Sequence, residues 1–209
     1  MRAVKFVLLF FVCGLIFHSA LFAKSAIVIA SFGTTVPEAL TSINNITNRV
    51  KTAFPDTKVK VVFTSNIIRS VWEKRSLSPD KWTAVGIPKE IFSTRNLLST
   101  FGDLKREGFK YVIVQPTHLF HMEQYHDLMQ YVNAIGSIKT IRAQWQPFNK
   151  IVLGRPALGT VGTRHDYKND LQRAVRVFKK DIRAVGQKNA ALVYMGHGND
   201  FWSTGIYSE

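Results

Sequence analysis

Two stretches carry residue types able to do chemistry. The first is Met195-Gly196-His197-Gly198, which follows the apolar run Ala190-Ala191-Leu192-Val193-Tyr194. Such a run reads as a buried parallel strand ending in a tight turn. Glycines on both sides of His197 open backbone conformations closed to other residues, and they leave room for a large ligand beside the ring. In open α/β sheets ligands collect at the carboxyl ends of strands, and an imidazole there acts as a metal ligand or a proton shuttle. A histidine that closes a strand and bonds to nearby backbone is the other reading of the same residues. The second stretch holds His118, His121 and His126 together with Glu123 and Asp127. Imidazole and carboxylate are the usual non-thiolate ligands of divalent first-row metals. The spacing contains no His-Glu-x-x-His, so it is no zinc signature by itself, and His126 and Asp127 also suit a solvated helix face.

Other chemistries lack support. No Gly-x-Ser-x-Gly elbow occurs, and Ser31-Phe32-Gly33-Thr34 is not a substitute for one. Neither a Walker loop nor Gly-x-Gly-x-x-Gly is present, which leaves nucleotide binding without a motif. Arg69, Arg155 and Arg164 fall near strand ends, where a guanidinium can hold a carboxylate bidentately, although each also reads as a surface charge.

The elements that must position these residues alternate between strand and helix. Ser25 to Ser31 is a β-branched run ending in a glycine turn. Pro37 opens a helix to about Phe54, with Leu40, Ile43, Ile46, Val50 and Phe54 at helical spacing. Val59 to Phe63 is the next strand, and Thr64-Ser65-Asn66 offers N-caps for a helix to about Lys74. Residues 77–87, with Trp72 and Trp82 close by, read as a loop over the sheet whose aromatics would line a flat ligand. A helix over Pro88 to Glu107, a strand over Tyr111 to Gln115 and a helix over Met122 to Ile135 follow. Ile151 to Gly154 is a fourth strand, Asp166 to Val185 a basic helix, and the strand leading to His197 comes last. This order predicts an α/β fold: right-handed crossovers and a mainly parallel sheet with helices on both faces.

Of the 209 residues, the first 23 or so have the layout of a secretory signal peptide. Arg2 and Lys5 precede the apolar run Phe6 to Phe17, and small residues lead to Ala23. The run is too short to span a bilayer comfortably, and an uncleaved N-terminal anchor is the alternative. Nothing later in the sequence is apolar for long enough to cross, so no membrane span is expected after cleavage. Cys13 is the one cysteine and lies in that leader, so the mature chain has no disulfide and no thiolate chemistry. Export without disulfides points to a periplasm. Lys and Arg number 28 against 14 Asp and Glu. Such a surface attracts polyanions: nucleic acid, anionic lipid, or a small molecule with several carboxylates. Nucleic acid is the weakest of these, because the cations form no single arm or helix.

Taken in order, these residues resemble the CbiK-type anaerobic sirohydrochlorin cobaltochelatases, of the class II chelatase family. The resemblance rests on Ser31-Phe32-Gly33-Thr34, Ala53-Phe54-Pro55-Asp56, Phe63-Thr64-Ser65 with Ile67-Ile68-Arg69, and Val114-Gln115-Pro116-Thr117-His118 with Tyr125. It extends to Gly154-Arg155-Pro156, His165-Asp166-Tyr167 and Met195-Gly196-His197-Gly198. It implies insertion of Co²⁺ into sirohydrochlorin on the anaerobic route to cobalamin, with no organic cofactor. Ni²⁺ and Fe²⁺ accept similar ligands. It also implies two similar lobes with the tetrapyrrole between them: residues 24–150 as the first lobe and residues 151–209 as the start of a second, incomplete one. An incomplete lobe would expose apolar surface and favour self-association.

By resemblance His197 and His118 are catalytic, and His197 is both metal ligand and proton acceptor. Ser31, Phe32, Gly33, Thr34, Arg69, His118, Gln124 and Gly196 are implied around the macrocycle, whose many carboxylates a basic cleft would hold. The family's acidic metal partner falls at Gln124, with Glu123 one place earlier as the metal-ligand candidate. One residue on a helix is about 100° of rotation. The alternative reading is a non-catalytic periplasmic carrier of a tetrapyrrole, haem or metal.

Overall fold

The computed structural model describes residues 23–158, 167–186, 189–193 and 195. Strand β1 (Ser25–Ser31) leads through a glycine turn to helix α1 (Leu40–Ala53), then β2 (Lys58–Phe63) and α2 (Asn66–Arg75). Two short helices, α3 (Pro79–Thr83) and α4 (Lys89–Phe92), precede α5 (Leu97–Arg106). Next come β3 (Tyr111–Pro116), α6 (Glu123–Ser137), a 3-10 turn at Ala143–Trp145, β4 (Lys150–Leu153) and α7 (Tyr167–Val185). The four strands are all parallel, in the order β2-β1-β3-β4, with Ile29 opposite both Val61 and Gln115. The chain runs outward from β1 to one side and then to the other. The crevice above β1 and β3 is therefore a topological switch point.

Alternation along the strands divides the core between two faces. On one, Ala26, Val28, Ala30, Val62, Val112 and Val114 pack against Leu97, Phe101 and Leu104 of α5 and Leu128 and Val132 of α6. On the other, Val61 and Phe63 meet Leu40 and Ile43 of α1, Ile68 and Trp72 of α2, and Ile87 and Ile91. Helices thus cover both faces, as the alternation of elements predicts. Cover on the second face stops at β1: Tyr111, Ile113 and Val152 are exposed, as are Val175, Phe178 and Ile182 of α7.

Three expectations change. The helix read over Pro88 to Glu107 is broken at Ser93–Asn96, because Asn96 is extended and its side chain accepts a hydrogen bond from Ser99 N at 2.8 Å. A new helix starts there. Residues 77–87 are not a plain loop, since they contain α3, and Trp72 is buried in the core beside Trp82 rather than offered to a ligand. The strand expected before His197 does not form among the described residues: residues 189–193 and 195 are irregular, and Val193 and Met195 are exposed. An apolar run becomes a strand only by pairing with a neighbour, and the sheet takes no fifth strand among the described residues. His197 and Gly196 lie outside the described residues.

Candidate functional site

The first wall of the site is the turn after β1. Ser31 is buried, its hydroxyl accepts from Gly33 N at 3.2 Å, and its carbonyl accepts from Thr64 N at 2.7 Å. Gly33 has φ +92°, and a Cβ there would lie 2.7 Å from the Phe63 ring. Only glycine passes the chain so close to a buried aromatic. Beyond it, Trp72 Nε1 donates to Thr34 O at 2.7 Å and Arg75 donates to Thr35 O at 2.6 Å. The Arg75 guanidinium lies against both the Trp72 and Trp82 rings, 4.5 and 4.3 Å from their centroids, a cation–π contact to each, and the two rings meet edge to face. We expect Trp72→Phe, which keeps an aromatic ring but loses the donor, to lower stability by about 1–2 kcal/mol in a urea titration.

The second wall is the carboxyl end of β3 and the start of α6. His118 is half-buried, and neither of its buried ring nitrogens has a hydrogen-bond partner among the described residues. Burial lowers its pKa from 6.5 to about 4, so the ring is neutral at any ordinary pH. The peptide carbonyls of His118 and Leu119 accept from Ala157 N and Leu158 N at 2.9 and 2.8 Å, which ties this loop to the chain after β4. Tyr125 adds a second tie through its hydroxyl, which donates to Gly154 O at 3.2 Å. Around it His121 stands edge-on to Tyr125 and stacks on His126, with centroids 4.9 and 6.2 Å away. Burial pulls the His121 pKa down, and the His126 charge adds to that.

Between these walls lies a groove of about 390 Å³, lined among others by Phe32, Asn66, Arg69, Asn96, Gln124 and Tyr131. It brings together three expected residues: the half-exposed Phe32, Arg69 and Gln124. Ser31, Gly33 and Thr34 flank Phe32 in the turn without lining the groove, His118 does not line it either, and Glu123 is exposed at the first turn of α6. Asn96 and Tyr131 escaped the reading of the sequence, and Asp127, read there with the histidines or as a solvated helix residue, lines the groove instead. Gln124, Asp127 and Tyr131 recur at helical spacing on α6, a signal that could have found them.

The expected arginine clamps are occupied. Arg69 donates to the carbonyls of Phe63 and Thr64 and to the Asn66 side chain, closing the end of β2. Burial pulls its pKa down, partly opposed by Tyr131. Arg155 grips the buried Asp170 bidentately, at 2.5 and 3.2 Å. Arg164 lies outside the described residues. Arg69 and Asp127 are the charged residues that line the groove, one of each sign.

Comparison with known proteins bears on this geometry. The family model for cobalt chelatase (CbiK) matches residues 25–209. The chain is also similar to sirohydrochlorin cobaltochelatase CbiKC of Nitratidesulfovibrio vulgaris, with 25% identity over 175 residues, which is 84% of this chain and 52% of that protein. It therefore spans about half the length of the curated relative it matches. Together with the parallel sheet and the groove at its switch point, the family match over nearly the whole described chain settles the affiliation: this chain belongs to the cobalt chelatase (CbiK) family.

Proposed function

We propose that the chain supplies the first lobe, residues 24–150, and the opening of a second lobe of an exported chelatase that inserts Co²⁺ into sirohydrochlorin. One observation carries this reading: an imidazole at the carboxyl end of β3, His118, whose two ring nitrogens are buried and unpartnered among the described residues and whose pKa is near 4. A neutral imidazole has a free lone pair for a metal or a pyrrole proton. Phe32 offers a flat apolar surface to a macrocycle. Metal insertion requires ligands that release the ion and a base for the two pyrrole protons. His197 is the residue proposed to do both, with Ser31, Gly33, Thr34, Gln124 and Gly196 shaping the surroundings.

The reaction is followed by the absorbance change when purified protein meets sirohydrochlorin and Co²⁺. We expect metallation above the uncatalysed rate, reduced at least about tenfold by His197→Ala, a loss of the size general acid–base groups supply. His121→Ala should lower Co²⁺ affinity less than His197→Ala does. Metallation unchanged in His197→Ala would refute the assignment. Gln124 favours a second reading, a non-catalytic carrier of tetrapyrrole, haem or metal, because an amide in the groove neither takes a proton nor ligates as a carboxylate does. Tetrapyrrole binding without metallation would establish that reading instead.

A further inference from the structure

The net charge of +14 is distributed unevenly over the fold. Because all four strands are parallel, every helix-to-strand connection returns to one edge of the sheet. Each strand opens there on or just after a lysine: Lys58 on β2, Lys24 before β1, Lys110 before β3 and Lys150 on β4. These form a row. Lys110 N donates to Lys24 O at 2.9 Å, and Lys150 N donates to Lys110 O at 3.3 Å. Lys105 and Arg106 end α5 at the same edge, and Lys139 and Arg142 lie between α6 and β4. Against these cations stand, among the described residues, Asp56 and Glu107 in the connections at this edge and Asp103 on α5, with Lys58 paired to Glu107 and Arg106 to Asp103. The connections at the opposite edge hold, among the described residues, Glu38 after β1 and Arg155 after β4, the latter paired with Asp170. The positive end is therefore the one away from the groove, and a carboxylated substrate does not account for it.

Apolar side chains stand out among these cations. Ile141 is fully exposed and Trp145 is 60% exposed, in a connection that also carries Lys139 and Arg142. Phe54 is half-exposed between α1 and β2 at the same edge. Tryptophan and aliphatic residues set among lysine and arginine suit a bilayer interface, where rings enter the headgroup layer and cations meet anionic lipid. The chain also enters here: Ala23 and Lys24 run directly into β1. Among the described residues no helix is long and apolar enough to cross a membrane. We propose that the amino edge of the sheet docks on an anionic lipid bilayer surface, with Trp145 and Ile141 inserted, and that the groove at the other end faces away from the membrane.

The test mixes the full chain with vesicles of phosphatidylcholine alone or with an equal part of phosphatidylglycerol. Flotation reads partition, and brominated acyl chains report insertion of tryptophan. Binding is expected only with phosphatidylglycerol, and it should weaken with salt. Each cation near an anionic leaflet contributes roughly fivefold, so Lys139→Ser/Arg142→Ser should lower partition by about 25-fold. Arg95→Ser removes an exposed cation next to the groove residue Asn96 and should leave partition unchanged. Quenching by brominated lipid should vanish in Trp145→Phe. Three outcomes overturn the proposal: equal binding to neutral vesicles, quenching that persists in Trp145→Phe, and binding to duplex DNA but not to vesicles.

Discussion

Gly33→Val is expected to lower the free energy of unfolding by about 4 kcal/mol and to close the groove at its Phe32 side. Two effects add. A β-branched residue at φ +92° sits in a backbone region closed to it, a strain of about 1–3 kcal/mol. The new Cβ would also lie 2.7 Å from Phe63 Cγ and 3.1 Å from Ile68 Cγ2. Phe63 is fully buried, so the ring cannot swing aside, and overpacking of this kind costs about 1–3 kcal/mol. Denaturant midpoints measure the sum. Gly102→Ala gives the contrast: a Cβ there meets nothing within 4 Å, and the site is inside α5, so a gain of about 0.5–1 kcal/mol is expected. Equal effects at the two glycines would show that the Gly33 turn is far more yielding than its packing implies.

Acidification should expose His118 in the stability curve. In the unfolded chain the ring takes a proton near pH 6.5, whereas in the fold it does so near pH 4. Between these values the unfolded state holds the extra proton, so stability rises with pH. The contribution is complete above pH 6.5 and is lost as pH falls toward 4, in total about 3 kcal/mol. His118→Leu keeps an apolar side chain of similar bulk and removes the titration. Urea unfolding at several pH values should therefore show wild type losing stability against the variant across this window. Parallel pH curves for the two proteins would mean that the imidazole is solvated in the fold.

Much of the scaffold can be read from sequence because its signals are local. The β-branched runs at Ile27 to Ile29 and Val59 to Val62 and the apolar spacing of α1 come from adjacent residues. What could not be read depends on partners distant in the chain. Trp72 has the same composition whether it faces a ligand or the core, and only the carbonyl of Thr34 and the Arg75 stack settle its place. Arg155 looks free until Asp170, a helix turn into α7, fills its fork. The apolar run before His197 resembles β1 in composition, but a strand needs a neighbour as well as a sequence. Likewise Gln124 rather than Glu123 lines the groove, because the start of α6 fixes the helix phase. The cations scatter along the sequence and gather only when parallel strands return every connection to one edge.

The turn after β1 is fastened from outside through main-chain oxygens alone, Thr34 O by Trp72 and Thr35 O by Arg75. Every amino acid carries that oxygen. Residue 35 can therefore vary in side chain without loosening the anchor, whereas Thr34 also accepts from Val36 N through its hydroxyl at 3.1 Å, so the turn can be rewritten chemically at one position while its place is inherited unchanged.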